Sequence, residues 1–264
     1  MKAVYGTFDA TALRAHLEKK LPDDWDVLFV HSSVNNMAPM FTGSPLDLVK
    51  MLVEFVGPER TLAMPAFFFG DPKIGGARAT FEANPRFDVR RTPSQMGLAT
   101  EMFRRWKGVV TSRHPVYRIA ALGPGAAALT AGHELADTAC GRGTPFDQLA
   151  NGRARILGIG KPFEVLTQVH HAEDLLGDDF PVPSTVGEPL PMTIVDGPEE
   201  IPFRLRGRGF AWRRDMWRLR KIMPKDELRE WSFHRVPLFT CSAKQVTDRI
   251  LAAAERGLTI YEES

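Results

Sequence analysis

Two imidazoles and two carboxylates fall within five consecutive residues of the stretch Thr167-Gln168-Val169-His170-His171-Ala172-Glu173-Asp174. On a helix, His170 and Glu173 stand at i, i+3 and share a face; His171 and Asp174 do the same one residue further round. A carboxylate beside an imidazole holds the ring in one tautomer and favours its protonated form. The ring's ordinary pKa lies close to neutral, so the pair has the makings of a general base. The same residues also suit a polar helix start with two solvated histidines, and the elements around them have to separate the two readings.

Those elements read as α/β. Thr7 or Asp9 can cap a helix to about Leu21, with Leu13, Leu17 and Leu21 at i, i+4 spacing. The apolar run 27–30 is a buried strand that ends in His31-Ser32-Ser33. Ser44 then caps an amphipathic helix bearing Leu46, Val49, Val53 and Val56, stopped by Gly57-Pro58. Residues 61–69 form a second buried strand, closing on Phe67-Phe68-Phe69. Strand, helix, strand is a parallel crossover, and in open α/β sheets ligands bind beyond the carboxyl ends of the strands. His31, Ser32, Ser33 and the aromatics Phe67 and Phe68 then share one edge; otherwise the serines only turn the chain and the aromatics are core. Residues 154–159 make another buried strand, and Gly160 opens the loop that leads to the histidines, on the same edge.

The segment 70–92 is a long irregular loop, of the kind that often carries function. It delivers Arg90-Arg91-Thr92-Pro93-Ser94, where Thr92 can cap a helix running from Pro93 to about Trp106. Arginines and hydroxyls at a helix N-terminus suit a phosphate, although an ordinary capped helix with exposed arginines fits too. His114 precedes Pro115 and is therefore extended, as a binding residue or simply a strand-end residue. Further on come a strand at 117–122, a short helix at 125–132 and a second Thr-Pro helix start at Thr144. A proline-rich connector spans 179–191, and a hairpin turns at Asp196-Gly197. Residues 204–225 hold nine Lys or Arg against one acid, Asp215, with Trp212 and Trp217 among them. A strand at 233–240 and an amphipathic helix at 243–256 close the chain. The expected architecture is one α/β domain: a central mixed or mostly parallel sheet flanked by helices. Its core spans 1–178 and 232–264, with a basic, hairpin-containing insertion at about 179–231.

Composition narrows the function classes. The 264 residues are 44% hydrophobic and 25% charged, as in ordinary globular proteins. A net charge of +2 is too small to imply nucleic acid. Cys140 and Cys241 lie too far apart for a metal-ligand motif or a disulfide framework. The N-terminus has no apolar signal core, and no run reaches the ~18 apolar residues of a membrane span, so the expected compartment is the cytoplasm.

Five motifs recur in a telling order. They are Val30-His31-Ser32-Ser33; Arg91-Thr92-Pro93-Ser94-Gln95-Met96-Gly97; Ser112-Arg113-His114-Pro115 with Ala120-Ala121-Leu122-Gly123-Pro124; Gly143-Thr144-Pro145-Phe146; and Ile156-Leu157-Gly158-Ile159-Gly160 leading to Thr167-Gln168-Val169-His170-His171-Ala172-Glu173. Each alone is unspecific, but together, over 27–175, the chain resembles the aminoglycoside 3-N-acetyltransferase family. The resemblance implies an α/β fold unlike the GNAT acetyltransferases, acetyl-coenzyme A or another acyl-coenzyme A as donor, no metal, and transfer to an amino group of an amino sugar. It puts His170 in the place of the family's catalytic histidine and Glu173 in that of its carboxylate partner. His171, where the family usually has an apolar residue, is the second choice for base. A sugar amine is largely protonated near pH 7, so such a base has a proton to remove. Hydroxyl and backbone N–H groups at Ser32 and Ser33 would stabilise the oxyanion, one donor being worth ~3 kcal/mol. On the same footing coenzyme A is assigned His31, Ser32, Ser33, Arg91, Thr92, Ser94, Met96, Gly97 and Ser112, and the acceptor Phe67, Phe68, His114, His171 and Asp174.

The acceptor is open at this point. Glu173, Asp174, Asp178 and Asp179 offer some acid to a polycationic aminoglycoside. The basic 204–225 segment with its tryptophans suits instead an anionic, stackable acceptor such as a nucleotide-linked amino sugar, or is a solvated face or an oligomer contact. Three rivals from other classes stand beside it: a cysteine-nucleophile acyltransferase, a metal hydrolase on His170, His171 and Glu173, and a nucleic-acid-binding module on 204–225. The expected partners are an amino sugar and acyl-coenzyme A, with neither nucleic acid nor membrane; a homo-oligomer is compatible with the sequence.

Overall fold

The apolar runs at 27–30 and 154–159 become neighbouring central strands because each is buried on both faces, the pattern of a parallel core. The computed structural model describes residues 6–183, 187–209 and 212–263; parts of the proline-rich connector (184–186) and of the basic segment (210–211) lie outside the described residues. The strands are β1 (Val27–Ser32), β2 (Thr61–Pro65), β3 (Arg86–Asp88), β4 (Val110–Thr111), β5 (Ile119–Leu122) and β6 (Ala154–Ile159). They continue with β7 (Leu190–Asp196), β8 (Glu199–Leu205), β9 (Arg213–Arg214), β10 (Arg229–Phe233), β11 (Val236–Ser242) and β12 (Tyr261–Glu262). The helices are α1 (Ala10–Lys20), α2 (Pro45–Val56), α3 (Ala77–Ala83), α4 (Leu98–Arg104) and α5 (Ala126–Thr130), then α6 (Pro145–Asn151), α7 (Val169–Leu176), α8 (Leu219–Ile222) and α9 (Ala243–Ala254).

Seven strands form one mixed sheet in the order β10-β11-β6-β1-β2-β5-β4. Only the middle is parallel: β1 pairs in parallel with β2 and β6, and antiparallel strands flank them. Side chains alternate across β1. Leu28 and Val30 pack with α1, α2 and α4, while Phe29 packs with α6, α7 and α9. Each fully buried Leu, Val or Phe in these layers contributes about 1.5–3 kcal/mol. The helix after β1 thus lies on one face and the helix after β6 on the other, which opens a crevice at the carboxyl ends of β1 and β6.

Local chemistry corrects several sequence expectations. Residues 92–97 are not a helix start; the helix begins at Leu98, after Gly97 at φ 100°. Gln95 is the reason. Its N–H donates to the Phe67 carbonyl (2.9 Å), and its side chain bonds Phe69 N (2.6 Å) and Gly70 O (2.7 Å), pinning the segment to the end of β2. The expected strand at 233–240 is a hairpin, with β10 and β11 joined through His234 and Arg235 at φ 47° and 68°. Left-handed His-Arg is an uncommon turn pair, so no Gly or Asn marks it in the sequence. The hairpin β7–β8 forms as expected, and it also takes up β3 as a parallel neighbour, drawn from the loop 70–92.

Candidate active site

At the carboxyl ends of the parallel strands lies a cleft of about 630 Å³. β1 contributes His31 and Ser32, and Ser33 follows; the extension of β2 contributes Phe67 and Phe69, and α7 contributes His170. Gly160 lets the chain double back from β6. Its φ is 66°, and a Cβ there would stand 2.5 Å from the Ser33 carbonyl. Asn36 Nδ2 donates to the Gly160 carbonyl (2.9 Å) and ties the two strand ends together. Lys161, Glu164 and Thr167 then reach the cleft rim.

On α7, His170 Nδ1 donates to Glu173 Oε2 at 2.6 Å. The carboxylate is buried and held from three sides: Arg208 Nη1 donates to the same oxygen (2.8 Å), and the Tyr261 hydroxyl donates to Oε1 (2.9 Å). Arg214 Nη1 donates to His170 Nε2 at 3.3 Å. A guanidinium has no lone pair to offer, so Nε2 is the unprotonated nitrogen, and it is the one that faces the cleft. Burial lowers the His170 pKa, Glu173 offsets part of that, and Arg208 adds to it; the ring is neutral near pH 7. Burial pushes the Glu173 carboxyl up, but His170, Arg208 and Tyr261 outweigh it and keep it ionised. Tyr261 and Arg214 are cross-strand partners of β12 and β9, so one pairing delivers both ends of this network.

The other expected residues divide. His31, Ser32, Ser33, Phe67, Met96 and Gly97 line the cleft with His170. His31 Nε2 and Ser32 Oγ are buried without a hydrogen-bond partner among the described residues. Ser33 N–H is committed to the Ile159 carbonyl (2.9 Å), whereas the Ser32 hydroxyl is bonded to nothing among the described residues. Phe68 alternates away from its neighbours and packs edge-on to Phe81 and tilted against Phe87. Arg91 is 90% exposed beside Asp88, the Thr92 carbonyl accepts from Arg118 (2.6 Å), and Ser94 N–H donates to Glu101 (2.8 Å); none of the three lines the cleft. Ser112 is buried, donating to His133 Nδ1 (2.9 Å) and accepting from Ile119 N (2.8 Å). His114 Nδ1 accepts from Val116 N (3.1 Å) and Tyr117 N (3.0 Å), a turn-shaping role. His171 and Asp174 grip the backbone of a single residue instead of each other: His171 Nδ1 donates to the Cys140 carbonyl (2.6 Å), and Cys140 N–H donates to Asp174 (2.8 Å). That separates the two histidines, since His170 opens on the cleft and His171 does not.

The rivals find little here. Cys140 and Cys241 are fully buried, and burial pushes both thiols up, Cys241 to about 12, away from the thiolate a nucleophile needs. Among the described residues no group of three His, Cys, Asp or Glu is placed to hold a metal ion, and no helix is long and apolar enough to cross a membrane. Residues missed by sequence reasoning are Tyr261, Arg208 and Arg214. Only the basic run hinted at the arginines, and nothing marked Tyr261.

Buried neutral histidines make the fold sensitive to acid. Burial, with Lys161 second, lowers His31 to about 3, and burial lowers His133 to about 4. Unfolded, both titrate near 6.5, so below that pH the unfolded chain binds protons that the folded chain refuses. Their contribution is complete above pH 6.5 and is lost as the pH falls toward their folded values. At pH 4.5 each should destabilise by about 2–3 kcal/mol relative to pH 7. Urea unfolding at the two pH values checks this; an equal or higher midpoint at pH 4.5 would contradict it.

A family model for aminoglycoside 3-N-acetyltransferase matches residues 29–254, from β1 to the end of α9. The chain belongs to the aminoglycoside 3-N-acetyltransferase family. Aminoglycoside N(3)-acetyltransferase IX of Micromonospora chalcea is 30% identical over 175 residues, 61% of this chain and 62% of that protein. Aminoglycoside N(3)-acetyltransferase III of a Salmonella species is 30% identical over 194 residues, 70% of this chain and 66% of its own length. The matched part thus spans just under two thirds of these relatives. AAC-IIIb, solved as a binary complex with CoASH, superposes with a TM-score of 0.76 at 22% identity, covering 96% of this chain and 98% of that one; the likeness is one of fold. That likeness takes in nearly the whole chain, the mixed sheet included.

Proposed function

We propose that this chain transfers an acetyl group from acetyl-coenzyme A to an amino group of an amino sugar, with His170 as general base and Glu173 as the residue that orients it. The carrying observation is the pairing of His170 Nδ1 with buried Glu173 at 2.6 Å while Nε2 faces the cleft. The relatives are named aminoglycoside N(3)-acetyltransferases, and AAC-IIIb binds CoASH, which supports the donor and the acceptor class. The cleft fits such a donor: Val34, Pro45, Met96, Leu98 and Ala99 offer apolar wall for a pantetheine arm, and His31 Nε2 and Ser32 Oγ offer unpartnered polar atoms.

Acetyl-coenzyme A supplies the thioester. The acceptor attacks as the free amine, its ammonium having given one proton to water, and His170 Nε2, the neutral base in reach, takes a second proton from the nitrogen as the N–C bond forms. As the N–C bond forms, the Ser32 hydroxyl donates to the carbonyl oxygen that gains charge. When the C–S bond breaks, His170 returns its proton to the leaving thiolate. Glu173 stabilises the imidazolium in between, and Arg208 and Tyr261 hold Glu173 in place. The test is thiol release from acetyl-coenzyme A with a panel of aminoglycosides and amino sugars, with mass analysis of the products. Amine-dependent release with N-acetylated product is expected; release without any amine dependence would refute the reading. Whether the acceptor is an aminoglycoside or a nucleotide-linked amino sugar turns on the charge of the cleft.

A further inference from the structure

Resting on the acetyl-transfer reading, we propose that the acceptor is an amino sugar carrying a phosphate beside its amine, held by Arg214 and Lys161, and not a polycationic aminoglycoside. The cleft is lined by two cations, Lys161 and Arg214, and by one carboxylate, Glu164. Their neighbours are spent on ion pairs: Arg208 on Glu173 and Asp174, Arg213 and Arg218 on Glu262. Arg214 and Lys161 have no carboxylate partner among the described residues. Several ammonium groups of an aminoglycoside would meet two like charges and a single acid here, a mismatch that discriminates by repulsion. A guanidinium and an ammonium together match a phosphate.

The position of Arg214 sharpens the inference. Its Nη1 lies 3.3 Å from His170 Nε2, on the lone pair that must take the amine's proton. Arg214 has to move off that lone pair as the amine arrives. A phosphate beside the amine draws the guanidinium away in the same step; a neutral or cationic acceptor does not. The phosphates of coenzyme A are poor candidates for this arginine, because the pantetheine arm separates them from the thioester that reacts at His170. Trp217, a candidate for stacking a nucleotide base, carries Arg220 over its ring at 4.3 Å and does not line the cleft, so the inference rests on phosphate recognition alone.

The experiment compares kcat/KM for glucosamine, glucosamine 1-phosphate, UDP-glucosamine and tobramycin at fixed acetyl-coenzyme A, in the wild type, Arg214→Glu and Lys161→Glu. In the wild type, at least one phosphorylated amine should exceed both glucosamine and tobramycin by about 30-fold or more. Preference for the simple phosphate ester over the nucleotide diphosphate, or the reverse, identifies the source of the phosphate. Each charge reversal should shrink the ratio by about tenfold or more while the KM for acetyl-coenzyme A moves less than about threefold. Lys161 makes no hydrogen bond to the His170 ring, whose side-chain partners are Glu173 and Arg214, so Lys161→Glu reports on specificity even where Arg214→Glu slows every acceptor. Tobramycin turnover equal to or above the phosphorylated amines would overturn this inference and leave acetyl transfer standing. So would charge reversals that raise the KM for acetyl-coenzyme A without changing the ratio. Release of thiol with no amine acetylated would overturn both.

Discussion

Replacing His170 with alanine should lower the rate of acetyl transfer by about 10²–10⁴-fold, the range that a positioned general base contributes. The loss should fall on kcat, with binding of acetyl-coenzyme A unchanged within about threefold, because the imidazole acts on the amine's proton. The fold should survive, since Arg208 and Tyr261 still hold Glu173 when the ring is gone. Steady-state thiol release, with a denaturation midpoint as the control for folding, checks both parts. A variant that is folded, binds the donor and keeps the wild-type rate would remove His170 from the chemistry.

Glu173→Ala should damage both stability and catalysis. The carboxylate is buried among His170, Arg208 and Tyr261, so its removal leaves a buried guanidinium with one fewer counter-charge and a tyrosine hydroxyl without its acceptor. Breaking such a buried pair from one side costs about 3–5 kcal/mol. The imidazole also loses the acceptor that keeps the proton on Nδ1, and kcat should fall by about 10²–10⁴-fold, as when the orienting carboxylate of a histidine base is removed. Glu173→Gln separates the two effects. The amide keeps the shape and can accept from Tyr261, so part of the stability returns, but it does not stabilise an imidazolium, so kcat stays low. Urea unfolding and kcat measured together on the two variants make the test. Full recovery of kcat by glutamine would show that Glu173 is only a packing element.

The central strands and the pairing of His170 with Glu173 were legible in the sequence for physical reasons. β1 and β6 are buried on both faces and so appear as unbroken apolar runs. His170 and Glu173 are three residues apart on one helix, a separation that local periodicity reports. What was not legible came from distant parts of the chain. Arg208 and Tyr261 reach Glu173 across 35 and 88 residues, and no local pattern encodes either contact. The Thr92-Pro93 helix start misled because Gln95 bonds the end of β2, a tertiary contact that overrides a sound local signal. His171 and Asp174 had the same i, i+3 spacing as His170 and Glu173, yet the Cys140 backbone claims both. Spacing marks which side chains can meet, and packing decides what they meet.

The proton-accepting role of His170 is the central claim, and chemical rescue tests it most directly. Thiol release from acetyl-coenzyme A in the presence of an amino sugar should be slow in His170→Ala and should rise with added imidazole, in proportion to the neutral form of the free base. Wild-type release by His170→Ala without imidazole would contradict the account.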